Sequence, residues 1–200
     1  MSRHTLAVLS LLLCLLLPAA QAGELDDGLK AYQQGDYRTA LMLWRPLAQQ
    51  GNADAQYNLG LMYAQGRGVK QDYGQALAWY QKAADQGQPE AQYNLGELFF
   101  NGRGVFISRR EAKLWWTRSA EQGYPPAQYN LGVVYLYGYG SQQDIRRGLK
   151  LITAAAEAGH RPAQQALAKI YSEGLFDIPA DPQRARHWQT QTHSPTPHTR

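Results

Sequence analysis

Cysteine is nearly absent from this chain. Cys14 is the single thiol in 200 residues, and it lies in an apolar N-terminal run. Disulfide scaffolds, cysteine-built zinc modules and thiol catalysis are therefore excluded from the remainder, which must be held by packing. Long runs of one charge are also missing. The formal net charge is +4 and the pI is near 9.2, yet no Lys/Arg block stands out. Neither a nucleic-acid patch nor a strong membrane-surface patch is indicated. No second long hydrophobic run follows the first, so no transmembrane segment is expected in the mature chain. Catalytic signatures are missing as well. There is no His-Glu-x-x-His, Gly-x-Ser-x-Gly, Ser-x-x-Lys or Cys-x-x-Cys, and no phosphate-binding glycine loop between a strand and a helix. His160 and His187 stand alone, and His193 and His198 fall in a Thr/Pro/His-rich tail. The expectation is a protein with no catalytic residue, no metal site and no cofactor.

The N-terminus reads as a secretory signal. Arg3 and His4 precede an apolar run from Leu6 to Leu17, Pro18 breaks it, and Ala20-Gln21-Ala22 supplies a small-x-small cleavage site. An uncleaved anchor is disfavoured because the run is too short to span a bilayer comfortably. A lipid-attachment reading of Cys14 fails because the bulky Leu13 precedes it. Cleavage after Ala22 would leave a mature chain from Gly23, periplasmic or secreted.

What is present is repetition. Ala-Gln-Tyr-Asn-Leu-Gly recurs at Ala55–Gly60, Ala91–Gly96 and Ala127–Gly132, in three segments that align without gaps at a period of 36 residues. A fourth copy begins at Arg161 and takes one extra residue in its loop. A shortened copy precedes them all, with Tyr32 matched to Tyr63 and Gly35 to Gly66. Each copy reads as two helices. Asp36, Asp72, Ser108, Asp144 and Asp181 stand where the second helix begins, and each has an oxygen suited to an N-cap. Ser108 and Glu111 have capping-box spacing. Pro89, Pro125 and Pro162 mark starts of first helices. Glycines such as Gly66 and Gly87 mark the ends.

Gly60, Gly96 and Gly132 interrupt the first helices at roughly 1 kcal/mol each in helix propensity. Close approach of the partner helix is the natural compensation, with small Ala76, Ala83 and Ala84 at the contact. Trp79, Trp115 and Trp188 fill one further slot. Hairpins of this kind bury both faces only by stacking. The segmentation that follows is a signal peptide at 1–22, a capping hairpin at 23–52, repeats at 53–88, 89–124 and 125–160, a degenerate repeat at 161–189 and a disordered tail at 190–200.

The unit resembles the Sel-one-like repeat, a relative of the tetratricopeptide repeat. The residues that carry the resemblance are Ala-x-x-x-Leu-Gly-x-x-Tyr-x-x-Gly-x-Gly-Val from Ala55 to Val69, then Asp72, Ala76 and Trp79-Tyr80-x-Lys-Ala-Ala-x-x-Gly ending at Gly87. The 23–52 hairpin looks more like a plain tetratricopeptide unit. The resemblance implies an all-α, right-handed α-solenoid of stacked helix-turn-helix repeats, and scaffold or adaptor work. Some bacterial relatives carry a disulfide in every repeat, and this chain departs from them.

In such a superhelix the first helices line the concave groove. Helical phase then assigns the lining to Tyr57 and Leu61, to Tyr93, Glu97 and Phe100, and to Tyr129, Val133, Leu136 and Tyr137. Tyrosine brings large area with a polar tip, which suits recognition. The same tyrosines would equally serve to brace adjacent repeats. Asn58, Asn94 and Asn130 suit either peptide backbone or a neighbouring helix, the latter being favoured. Tyr135, Tyr137 and Tyr139 form a local cluster that is either a sticky loop or core. Arg109-Arg110 and Arg146-Arg147 oppose the dipole of the helices they open. They are either ordinary solvated arginines or a hint of an anionic partner. The function expected is a protein-interaction scaffold that takes a peptide or helix on its concave face. The alternative is a polysaccharide-associated envelope factor using aromatic and arginine contacts.

Overall fold

The computed structural model describes residues 23–140 and 142–193. The expected signal peptide with Cys14, and residues 194–200, lie outside the described residues. Among the described residues there are ten α-helices and no strand. They are α1 (23–33), α2 (Tyr37–Gln49), α3 (Ala53–Gln65), α4 (Tyr73–Asp85), α5 (Pro89–Asn101), α6 (Arg109–Glu121), α7 (Pro125–Tyr137), α8 (Ile145–Glu157), α9 (Arg161–Glu173) and α10 (Pro182–His193). The chain divides into two compact units, one ending at Gln88 and one beginning at Pro89. The first holds α1–α4 and the second α5–α10. In each, a hairpin's second helix packs on the first helix of the next hairpin, as α2 does on α3 and α6 on α7.

The helix starts follow the punctuation. Side chains of Asp36, Asp72, Ser108 and Asp144 accept from the backbone N–H three residues on, at 2.9–3.2 Å. Asp181 accepts from both Gln183 and Arg184 at 3.0 Å. Each bond satisfies a donor that the first turn leaves without an intrahelical partner. Gly66 and Gly138 close α3 and α7 in the left-handed conformation, at φ +69°. The tail is a correction. It was expected to lose order at Thr190, yet α10 continues through His193. The Thr190 and Thr192 hydroxyls donate back to the carbonyls of His187 and Gln189 at 2.7 Å, so polar residues with loop-like composition serve the helix backbone instead.

The mid-helix glycines are contact points, but not against alanines. Ala76, Ala83 and Ala84 are buried, while the group lying across Gly60 is the Tyr80 ring. A Cβ on Gly60 would stand 2.5 Å from that ring. Trp116 lies across Gly96, Ile152 across Gly132 and Trp44 across Gly28, at 2.3–2.6 Å from the equivalent Cβ positions. The slot of Trp79, Trp115 and Trp188 is the neighbouring one. The lock also corrects the register of the shortened copy. Trp44 Nε1 donates to the Leu25 carbonyl as Trp116 Nε1 donates to that of Tyr93, both at 3.2 Å. Leu25 thus matches Tyr93, buried Ala31 takes the place of Tyr63, and Tyr32 matches Ala64 and Phe100.

Repeats are stitched by the glutamine of Ala-Gln-Tyr-Asn-Leu-Gly and by its counterpart Gln164 in the fourth copy. Gln56 and Gln164 are buried, and their Nε2 atoms donate to the carbonyls of Ala48 and Ala156 at 3.0 and 3.1 Å, at the C-terminal end of the preceding helix. Gln86 and Gln122 then donate to Gln56 and Gln92 at 2.8 Å. Gln164→Met keeps the volume and deletes the stitch. The Ala156 carbonyl keeps the Gly159 N–H, so the expected loss is one net hydrogen bond, about 1 kcal/mol. A lower urea midpoint at unchanged slope would show it.

Candidate functional site

The second unit holds two adjoining cavities on the face of its first helices. The larger, about 530 Å³, is lined by Tyr129, Val133, Leu136 and Tyr137 of α7, by α9 side chains including Ala166 and Lys169, and by Leu175 and Phe176 beyond α9. The smaller, about 210 Å³, is lined by Glu97, Phe100 and Asn101 of α5, Trp116 of α6, and Tyr129, Asn130 and Val133 of α7. Tyr129, Val133 and Tyr139 belong to both. The fold reaches this arrangement because the glycine lock turns Leu95 and Leu131 into the core, while Leu167 is buried beside Ala168 on α9. Glu97, Val133 and Lys169, two positions beyond these leucines, are left on the outer side.

Glu97, Phe100, Tyr129, Val133, Leu136 and Tyr137 are thus brought together. They are not equivalent. Leu136 is only 2% exposed and packs beside Gly148, so it underlies the floor. Tyr137 is 55% exposed and stacks on Tyr139 at 5.5 Å. Tyr93 lines neither cavity. It is half-buried and meets Tyr124 edge-on at 5.5 Å, and burial pushes its hydroxyl up to about 12. Tyr129 meets His160 at 5.4 Å. Tyr93 and Tyr129 therefore pack on the N-cap residues of the next first helices, α7 and α9, and Tyr129 faces the cavities as well. Tyr57 and Leu61 belong to the first unit, where Tyr57 lies 5.9 Å from the Tyr80 ring and Leu61 is half-buried.

Glu97 is the charged group inside the smaller cavity. Asn130 Nδ2 donates to its Oε1 at 2.7 Å, so this asparagine bonds a neighbouring helix. Burial raises the Glu97 carboxyl above the usual carboxylate range, against the Asn130 bond and the nearby Arg103 charge. A carboxyl held above its unfolded value binds its proton more tightly when folded. Its contribution favours the fold at acid pH and is lost as pH rises through the folded value. Glu97→Gln keeps an acceptor for Asn130 and removes the desolvated charge. The variant is expected to melt above the parent at neutral pH, with the gap narrowing towards pH 4. Paired melts from pH 4 to pH 8 would check this.

The tyrosine cluster splits. Tyr135 is core, 7% exposed, with the Arg147 guanidinium 4.5 Å from its ring centroid, while Tyr137 and Tyr139 are on the surface. Arg109 lies over Phe100 and Tyr139 at 4.8 and 5.2 Å. One arginine of each pair therefore stacks on a ring of its own chain. Phe176 was not foreseen. It and Asp177 take φ +58°, rare for residues with a side chain. That turn sets the Phe176 ring edge-on to Tyr137 at 5.2 Å. The extra loop residue in the 161–189 copy was the one sign of it in the sequence. Among the described residues no group of three or more His, Cys, Asp or Glu side chains is arranged to hold a metal, and no helix is long and apolar enough to cross a membrane.

Helical hairpins repeated at a fixed interval, locked within and stitched between, define an α-solenoid of stacked helix-turn-helix repeats. The Sel1 repeat model matches residues 19–52, 53–88, 89–124, 125–160 and 161–188. The chain belongs to the Sel1 repeat family, a non-catalytic family whose members generally act as protein-interaction scaffolds. A Sel1 repeat protein from Oxalobacter formigenes is 33% identical, with a TM-score of 0.78 over 86% of this chain and 70% of that one. A protective antigen of uropathogenic Escherichia coli strains, which displays the same repeat fold, is 29% identical with a TM-score of 0.76. That match covers 86% of this chain, which spans only 38% of the antigen's length. A Sel1 repeat protein from Klebsiella pneumoniae, 24% identical with a TM-score of 0.58 over 74% of this chain and 71% of that one, shares the fold. No curated protein matches the chain.

Proposed function

We propose that this chain is an exported scaffold or adaptor, without catalytic activity of its own, that takes a short peptide or one helix on the concave face lined by its first helices. The observation that carries this reading is the pair of adjoining cavities. At about 530 Å³, the larger falls in the range of roughly 300–1,000 Å³ that accommodates a compact ligand. It admits a few side chains of a partner rather than a domain. Its walls combine exposed aromatics with few charges, the composition of interface anchors. Export to the periplasm or the medium, after cleavage near Ala22, rests on the Leu6–Leu17 run and the small residues that follow.

The test is to express the chain from Gly23 in the compartment it is proposed to occupy, cross-link it, and identify what co-purifies. Phe100→Glu with Tyr137→Glu, checked by circular dichroism, runs beside it. One dominant protein, lost by the folded variant, supports the scaffold reading. A folded variant that keeps every partner removes this face from consideration. Enrichment of no protein would favour polysaccharide instead, for which the exposed, stacked Tyr137–Tyr139 pair is the natural platform.

A further inference from the structure

The loop joining α5 to α6 differs from its counterparts in a consistent direction. The loop before α4 reads Lys70-Gln71-Asp72, and that before α8 reads Gln142-Gln143-Asp144, whereas this one reads Phe106-Ile107-Ser108. Gln71 and Gln143 donate to the carbonyls of Ala64 and Leu136 at 2.8 and 2.6 Å, capping the end of the preceding helix. Ile107 has no donor with which to do so. Asp36, Asp72, Asp144 and Asp181 cap their helices with a charged carboxylate, and Ser108 caps with a neutral hydroxyl. Polar support and negative charge have both gone from one short segment.

What replaces them faces solvent. Phe106 is 94% exposed and Ile107 is 65% exposed. Arg103, Arg109 and Arg110 flank the pair, all exposed, and no Asp or Glu lies between 98 and 110. Arg109 is engaged over Phe100 and Tyr139, so its charge stays at the base of the loop. We infer that this loop is a contact for an anionic lipid surface, with Phe106 and Ile107 entering the interfacial layer, Arg103 and Arg110 facing the headgroups and Arg109 adding its charge from the base of the loop. A protruding apolar tip needs no complementary shape in a fluid interface, and cations beside it gain from anionic headgroups. Two apolar side chains give weak, reversible attachment, so binding should be salt-sensitive.

The experiment is co-sedimentation of the chain from Gly23 to Arg200, which includes every described residue and omits the Leu6–Leu17 run that would itself partition into lipid. The probes are phosphatidylcholine vesicles with and without phosphatidylglycerol, at low and high salt. The variant is Phe106→Gln with Ile107→Gln, which copies the two glutamines Gln142 and Gln143 of the loop before α8 and leaves the charge unchanged. The glutamine that replaces Ile107 can restore the carbonyl cap, so the variant should melt no lower than the parent. The expected result is binding about tenfold stronger to the anionic vesicles, weakened by salt and reduced about tenfold in the variant. Equal binding by parent and variant, equal binding to both vesicle types, or no sedimentation of the parent would each overturn the assignment. Loss of a cross-linked protein from the variant, with neither form sedimenting, would overturn it in favour of a protein contact.

Discussion

Trp116→Ala is expected to lower stability by about 3–5 kcal/mol, the range for emptying a large buried aromatic site. Trp116 is 2% exposed, its Nε1 donates to the Tyr93 carbonyl, and its ring lies across Gly96 and 5.2 Å from Phe100. Removal therefore takes a filled volume and a hydrogen bond together. The reverse change tests the same contact from the other helix. Gly96→Ala should favour α5 by roughly 1 kcal/mol in propensity. Its Cβ, however, would stand 2.3 Å from Trp116 Nε1. The ring must shift and give up its carbonyl, so a net loss of about 1–3 kcal/mol is expected. Gly96→Ala should cost far less once Trp116→Leu has vacated the space. A double-mutant cycle by urea denaturation measures this coupling. Strictly additive losses would mean that the two groups do not oppose each other.

The groove variant carries the second large effect. Phe100→Glu with Tyr137→Glu is expected to weaken partner binding by at least about thirtyfold, the loss that removal of one anchor of about 2 kcal/mol produces. Tyr137 is more than half exposed, so its replacement spares the core while placing a charge where an apolar partner would settle. Phe100 is half-buried and touches Trp116, so some loss of stability accompanies it. Affinity for the recovered partner, measured on a sample whose circular dichroism matches the parent's, separates the two effects. Tyr137→Glu alone supplies the version least able to disturb the fold.

Much of the fold is legible because it depends on spacing and local chemistry. Asp72 and its counterparts announce a helix start whatever surrounds them, since the cap bond is made to a backbone three residues away. The glycine lock was half legible. Gly96 signals that something comes close, but whether alanines or Trp116 do so depends on the relative rotation of two helices, which periodicity does not encode. The stitch by Gln56 and Gln164 escaped because a buried amide and a solvated one look alike in a sequence. Of the groove, phase alone placed Phe100, Val133 and Tyr137 on one side of their helices. Phe176 could not be reached that way. It enters through a left-handed turn in a loop, where neither helical phase nor the repeat applies. Arg109 illustrates the opposite difficulty, since a charge that reads as available is engaged on Phe100 and Tyr139.

The location of the glycine lock bears on how such a chain grows. Gly60 with Tyr80, Gly96 with Trp116 and Gly132 with Ile152 each close inside one segment of 36 residues. The glutamine-to-carbonyl bond, by contrast, reaches from one segment to the preceding one. An in-frame duplication of one segment therefore delivers its central contact intact. To dock, the newcomer presents one amide at its beginning and one free carbonyl lone pair at its end, both of which it copies from its parent. Lengthening or shortening the array by recombination is thereby separated from the slower business of inventing a core, and loops such as Phe106-Ile107 are free to diverge while it happens.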